Sequence, residues 1–325
     1  MLTREFITPR DEAHWLELRK SDLTSTMVPA LFGCSPYSTA FQLWHEIKHD
    51  LPSSFEDNER MFWGRHLESG IARAVGIKEE IRVAPYKDYI RVPELRLGSS
   101  FDYVELVETD DLPPLEAEGQ PPQKFLTPSA IIEIKNVDGL QFKNGWKEDE
   151  DGNLEAPLHI EIQIQHQMLV SGINVCKLRA LVGGNKVVQI NRQANPEFQQ
   201  MILAKCAAFW HSIDNNLEPS PNFAKDAEFI TSLYKFVRPG LEVDGTTSER
   251  LLELAHDYKA AAEAIKQLEV NKQAAKAEML TIIKDAHKVY GDGFSISAGE
   301  VKPTIIKEYE RKGYRDFRIY MKKEK

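Results

Sequence analysis

The segment Ile131-Ile132-Glu133-Ile134-Lys135 constrains this chain more than any other. A dense β-branched run favours an extended strand. The period of two then puts Glu133 and Lys135 on one face, with Ile132 and Ile134 on the other. A carboxylate and an ammonium are costly to bury unless they meet each other, a metal or a solvated cleft. The segment is therefore either a salt-bridged strand or half of an active site, and the rest of the chain has to decide between them.

A chain of 325 residues holds one large or two modest domains and buries a sizeable core. With 42% hydrophobic and 28% charged residues it matches an ordinary globular composition, and no apolar run is long enough to cross a bilayer. The N-terminal residues mix charges of both signs and have no apolar stretch of signal-peptide type. No membrane role is expected. Cys34, Cys176 and Cys206 are odd in number and widely spaced, which fits neither a disulfide framework nor a zinc site; they read as reduced packing thiols of a cytoplasmic protein. The net charge of −9 argues against a protein that coats nucleic acid through a general basic field. A nuclease that gathers carboxylates around a metal is compatible with it.

Taken in order, residues 12–18 predict a helix around Trp15, and the hydroxyls at 24–26 precede a short helix that stops at Gly33. Thr39 caps a helix carrying Phe41, Leu43, Trp44 and Ile47. Residues 50–59 predict a loop. A helix from residue 60 has an apolar face traced by Leu67, Ile71 and Val75, with Glu68 beside it and Gly64 open to close approach by another backbone. A surface salt bridge is the alternative reading of Glu68. Residues 81–84 and 89–92 predict a hairpin, 96–107 one strand carrying Asp102, and 109–128 a loop. Antiparallel pairing of 96–107 with 131–135 would bring Asp102 near Glu133 and Lys135.

A polar loop at 143–157 precedes a helix over 158–172, on which Gln163 and Gln167 lie one turn apart on the same face, so that one or both can point into the site. A hairpin over 175–190 and a helix over 196–217 complete a core of residues 1–222. Residues 223–325 form a helical extension: a long helix over 248–287, bent near Val270-Asn271, then a short β-like tail. The basic end at 311–325, with Tyr314, Phe317 and Tyr320, is either a solvated face or a nucleic-acid contact.

Glu68, Asp102 and Glu133 supply three carboxylates and Lys135 one cation, which is the material of a magnesium site. Phosphodiester hydrolysis needs a metal to activate water and offset charge on the leaving oxygen. A lysine beside it can orient the water and neutralise phosphate charge. The acid and lysine spacing alone is a weak signal.

The chain resembles the lambda-type exonucleases, the YqaJ-like viral recombinase branch of the PD-(D/E)XK nucleases. Several blocks between about Trp15 and Pro221 carry the resemblance, in the family's order. Arg19 with Leu23-Thr24-Ser25-Thr26 is similar to the block whose arginine and last hydroxyl bind a phosphate of the DNA end, with Thr26 in place of serine. Trp63-Gly64-Arg65-His66-Leu67-Glu68 resembles the W-G-x-x-x-E helix. Ser100-Phe101-Asp102 resembles the S-P-D strand end, with Phe101 in place of proline. Glu133-Ile134-Lys135 is similar to the E-x-K strand, in which the middle carbonyl also ligates metal. Gln163-Ile164-Gln165 resembles the Q-V-Q helix, whose first glutamine reaches the active site.

The resemblance implies a restriction-endonuclease-like α/β fold, with a central mixed sheet flanked by helices. It implies Mg²⁺ or Mn²⁺ on Glu68, Asp102, Glu133 and the Ile134 carbonyl, with Lys135 and Gln163 handling the water or scissile phosphate. Arg19, Thr26 and Ser100 would hold the 5′ phosphate. The activity implied is 5′→3′ digestion of duplex DNA from an end, leaving a 3′ single strand. The wider setting would be a homo-oligomer such as a ring trimer, a single-strand annealing partner, and a phage or prophage gene in a bacterial host. Two alternatives stay open: an endonuclease or single-strand-specific nuclease of the same fold, and a DNA-end-binding recombination scaffold without catalysis.

Overall fold

The β-branched run lies within a 13-residue strand, the longest among the described residues, that the rest of the central sheet flanks. The computed structural model describes residues 2–51, 58–109, 125–148 and 153–302. Its first part runs β1 (Glu5–Ile7), α1 (Glu12–Lys20), β2 (Leu23–Thr24), α2 (Val28–Leu31), α3 (Ala40–Lys48) and α4 (Glu59–Glu79). Next come β3 (Val83–Pro85), β4 (Tyr89–Val92), β5 (Leu97–Ser99), β6 (Tyr103–Thr109) and β7 (Phe125–Val137). After these follow α5 (Gly139–Gly145), β8 (Lys147–Glu148), β9 (Leu154–Glu155), α6 (Leu158–Ser171), β10 (Val175–Val182), β11 (Lys186–Gln193) and α7 (Pro196–Asp214). The last elements are α8 (Ala227–Leu233), α9 (Glu249–Ile283), β12 (Lys288–Gly291) and β13 (Phe294–Ser297). The chain divides into two units, Met1–Ile230 and Thr231–Lys325.

The first unit has the expected mixed α/β core with helices against a central mixed sheet. Its five strands run β11-β10-β7-β6-β3, with β7 and β10 parallel and the other neighbours antiparallel. On one face, Ile132 and Ile134 pack against Ile71, Ala72 and Val75 of α4. On the other, Ile131 joins the main core with Ile160, Ile164 and Met168 of α6. A four-stranded sheet, β1-β4-β5-β2, lies beside α6.

Several expectations need correction. Residues 81–84 and 89–92 do not form a hairpin: β3 pairs with β6, and β4 pairs with β1 and β5 in the other sheet. The single strand expected over 96–107 is two, β5 and β6, and the chain changes sheets across Ser100-Phe101-Asp102. Phe101 is the pivot, buried and stacked on Tyr86 with ring centroids 4.5 Å apart. The strand β7 begins at Phe125, inside the stretch expected to be loop; residues 110–124 of that stretch lie outside the described residues, as do 52–57 of the loop expected over 50–59. The polar 143–157 region contains part of α5 and the β8–β9 pair, with 149–152 outside the described residues. No close approach occurs at Gly64, where an added Cβ would meet open space. Leu67 is 41% exposed, so the buried stripe of α4 is Ile71, Ala72 and Val75, and Glu68 extends it by one turn. In the second unit α9 runs through Val270-Asn271 as one helix, and the basic end at 311–325 lies outside the described residues.

An ion pair fixes α4 against the sheet. Arg179 of β10 is almost fully buried and makes a fork to Glu79 near the end of α4, with Nε–Oε1 2.6 Å and Nη2–Oε2 2.7 Å. Its Nη1 donates to the Ile190 carbonyl and to Asn191 Oδ1. Removing one partner from such a pair strands a charge, which costs about 3–5 kcal/mol. Arg179→Ala should therefore lower the unfolding free energy by about that amount in urea titration, and Glu79→Leu with Arg179→Met should lower it less.

Candidate active site

The register of β6 against β7 builds the site. Tyr103 stands opposite Ile132, so Asp102, one residue before β6, falls beside Glu133 as the pairing ends. Asp102 Oδ2 accepts a 3.4 Å hydrogen bond from the Ile134 amide, and its own carbonyl accepts from Tyr86 N–H at 3.1 Å. The residue is held through both main chain and side chain.

Glu133 is 2% exposed. Its Oε1 accepts from Lys135 Nζ at 2.6 Å and from Gln163 Nε2 at 2.6 Å, and its Oε2 accepts from Gln167 Nε2 at 2.8 Å. An ionised carboxylate only accepts, so both amides must turn their NH₂ groups toward it. Gln163 and Gln167 project from one face of α6 because they are four residues apart. The price is Gln167 Oε1, buried without a hydrogen-bond partner.

Glu68 comes from α4, which covers the face opposite to Glu133 and Lys135, yet its charge acts on both of them and on Asp102. Burial raises the Glu68 pKa, the nearby Glu133 raises it further, and Lys135 opposes both. Asp102 is held well above the usual carboxylate range, first by burial and then by Glu133, with Glu68 adding; Lys135 and the Ile134 amide pull the other way. For Lys135, burial works against the charge, but Glu133 and Asp102 outweigh it and keep the ammonium protonated above its ordinary range.

This donor set has the right chemistry for a hard divalent cation: carboxylate oxygens and a backbone carbonyl at Ile134, with surplus negative charge that a cation would offset. Among the described residues, however, no three His, Cys, Asp or Glu side chains converge closely enough to hold a metal as they stand. Both oxygens of Glu133 are occupied by its three donors, so a cation would have to take the place of at least one of them or share an oxygen with it.

The second group is partly assembled. Arg19 stacks on Trp15 with its guanidinium 4.2 Å from the ring centroid, and its Nη2 reaches the hydroxyls of Thr24 at 3.4 Å and Thr26 at 3.3 Å. Burial lowers the Arg19 pKa, an effect that Tyr89 partly offsets. Ser100 is half-buried after β5 and makes no hydrogen bond to Arg19 or Thr26. What links the two groups is the sheet: β2, which contains Thr24, runs parallel to β5, which leads into Asp102. Gly98 of β5 has no room for a side chain, because a Cβ there would overlap the Tyr89 hydroxyl and lie 2.9 Å from Asp22 Oδ2.

Gln167, which its spacing from Gln163 marks as able to point into the site, does reach Glu133. Two neighbours of the acids and Lys135 are absent from the sequence-derived set. His159 lies one turn before Gln163 on α6, and its pKa is lowered by burial and by Lys135. Tyr37, which acts electrostatically on Lys135, meets His159 edge-on with ring centroids 6.4 Å apart. His159 could have been found by its spacing from Gln163, whereas no local pattern marks Tyr37.

Mixed sheet, flanking helices and a cluster of carboxylates with a lysine define an α/β protein with an acidic polar centre at the switch between two sheets. Residues 14–174 match the YqaJ-like viral recombinase domain family. The chain is 24% identical over 281 residues to the uncharacterized protein YqaJ of Bacillus subtilis (strain 168), covering 85% of this chain and 79% of that one. Among solved structures it is similar to an alkaline exonuclease (LHK-Exo) from Laribacter hongkongensis, at 16% identity and a TM-score of 0.46, covering 67% of this chain and 99% of the other. It is also similar to a phage related exonuclease from Haemophilus somnus 129PT, at 12% identity and a TM-score of 0.42, covering 60% and 95%. No helix among the described residues is long and apolar enough to cross a membrane.

Next to Gln167 in the sequence, His166 is fully buried, with the Leu23 main chain as its polar neighbour. Burial lowers its pKa to about 3, an effect the Leu23 main chain only partly offsets. The unfolded chain therefore takes up a proton near pH 6.5 that the folded protein refuses. Stability from this residue is complete above about pH 6.5 and is lost as pH falls toward 3, by at most about 1.4 kcal/mol per pH unit. In urea titrations at stepped pH, His166→Leu should flatten that acid limb; an unchanged slope would show that His166 does not set it.

Proposed function

We propose that this protein is a metal-dependent 5′→3′ exonuclease of restriction-endonuclease-like fold, acting on linear double-stranded DNA and leaving 3′ single-stranded overhangs for phage-type recombination. The observation that carries the reading is Glu133: a buried carboxylate bonded to Lys135 and two glutamine amides, and close enough to Asp102 and Glu68 to raise the pKa of both.

Mg²⁺ or Mn²⁺, when bound, would be held by Glu68, Asp102, Glu133 and the Ile134 carbonyl and would supply Lewis-acid activation of water and charge neutralisation. The remaining work falls to the chain itself. Lys135, kept charged by Glu133 and Asp102, orients the attacking water and offsets charge on the phosphate. Gln163 holds Glu133 in position and presents its amide toward the water or the scissile phosphate. Arg19 with Thr26, joined by Ser100, receives the 5′ phosphate through charge-assisted hydrogen bonds. A ring-shaped homotrimer and a single-strand annealing partner belong to the same reading. The three donors already on Glu133 favour a second one, a DNA-end-binding scaffold without catalysis.

A linear duplex labelled separately at each 5′ and 3′ end, incubated with Mg²⁺ and with chelator, separates these readings. The 5′ label should be released first, only with Mg²⁺, and a closed circular duplex should survive. Release from the 3′ end, or cutting of the circle, would replace the exonuclease reading with another nuclease of the same fold. End binding without hydrolysis would favour the scaffold. Lys135→Ala should abolish hydrolysis while leaving end binding intact.

Gln167→Leu removes one of the donors that orient Glu133. Loss of such a supporting hydrogen bond should reduce turnover or metal affinity about 10–100-fold. Steady-state rates across a Mg²⁺ titration check this, and an unchanged profile would assign Gln167 to packing alone.

A further inference from the structure

The helix α9 is 35 residues long, roughly 50 Å, and none of its residues is buried. Leu251, Leu254, Tyr258, Ala261, Ile265 and Leu268 succeed one another at alternating steps of three and four. Lys272, Ala275, Met279 and Ile282 continue the same spacing to the end of the helix. Its mean period is 3.5 residues, which keeps a stripe facing a partner helix wound around it. The stripe is open to solvent: Leu251 is 58% exposed, Ile265 67%, Leu268 65% and Ile282 73%. Six acidic and five basic residues leave α9 without the positive charge that a nucleic-acid surface requires.

We infer that α9 pairs antiparallel with α9 of a second copy of this chain. No other helix among the described residues exceeds 21 residues, so its own copy is the helix of the chain that matches it in length. The core layers choose the direction. A parallel pair in register would place Lys272 against Lys272 and Tyr258 against Tyr258, while Ala261 and Ala275 would each face themselves and fill little space. An antiparallel pair centred between Ile265 and Leu268 sets Leu251 against Ile282 and Leu254 against Met279. It also puts Tyr258 over Ala275 and Lys272 over Ala261, so each bulky or charged residue meets a small one.

Charge agrees with this direction. Arg250 comes opposite Glu278. Glu269 meets its own copy at the twofold axis, and Lys272 of its own helix, at 3.2 Å, shares that charge. The inference is independent of the nuclease reading, since no residue of the stripe belongs to the candidate active site.

The full-length protein should be tested by light scattering after size exclusion, at several concentrations. The wild type should give a dimer, or an even multiple if the first unit also assembles, and Ile265→Asp with Leu268→Asp should halve the mass. Far-UV circular dichroism of this variant should keep the sheet signal of the first unit. For direction, Leu254→Cys and Met279→Cys are made separately in a Cys34→Ser background, since Cys176 and Cys206 are buried. A short thiol cross-linker should join the two variants when mixed and should join neither to itself. Self-linking of either variant alone would overturn the antiparallel pairing. A monomeric wild type, or a mass unaffected by the double substitution, would overturn the inference altogether.

Discussion

Glu133 is the constraint on which the first unit depends. A carboxylate with 2% of its surface exposed is far more costly than a buried isoleucine unless its lone pairs are filled by donors. Lys135 is two residues along the same strand and so is supplied by the pleat, but the two amides come from α6, thirty or more residues later. Seating α6 on β7 is therefore both a packing event and the supply of hydrogen-bond donors to a buried carboxylate. Ile131, Ile160 and Ile164 contribute the apolar burial, and Gln163 and Gln167 make that burial tolerable for Glu133.

The second organising element is the change of sheet between β5 and β6. A continuous strand through 96–107 would have kept Asp102 within one ladder. Breaking it at Ser100-Phe101-Asp102 leaves Asp102 at the end of the central sheet, while β5 stays beside β2 and the Arg19–Thr26 group. Phe101 locks that break by burying its ring on Tyr86. The two candidate groups, acids with lysine and arginine with hydroxyls, are thus joined by three residues of main chain. Tyr89 supports the same region from β4: it is completely buried, it donates to Asp22 Oδ2 at 3.1 Å, and it excludes any side chain at Gly98.

The two units are built on opposite economies. In the first, charges are gathered inside and compensated by named partners, as with Glu133 and with the Arg179–Glu79 fork. In the second, α9 keeps every residue accessible, and its apolar residues repeat with the period of a helix pair. A 35-residue helix of this kind gains little from its own propensity, because helical stability in proteins comes chiefly from packing of an apolar face.

Much was legible in local pattern. Alternation in 131–135 sufficed to place Glu133 and Lys135 together, because a strand's period is a property of its own backbone. The four-residue spacing of Gln163 and Gln167 did the same for α6, and the cap at Thr39 follows from a side chain that bonds its own helix. Ordered motifs located Glu68, Asp102 and Arg19. Only the tertiary structure decided what depends on long-range pairing. It placed β3 with β6 and not with β4, since two short adjacent strands carry no local information about which sheet edge they join. It brought Glu68 to the acids from the far face of the sheet, and it placed Tyr37 beside Lys135 across about a hundred residues of chain. It also committed the second oxygen of Glu133 to Gln167. Local periodicity fixes where a side chain points from its own element, whereas the partner it meets is chosen by how distant elements pack.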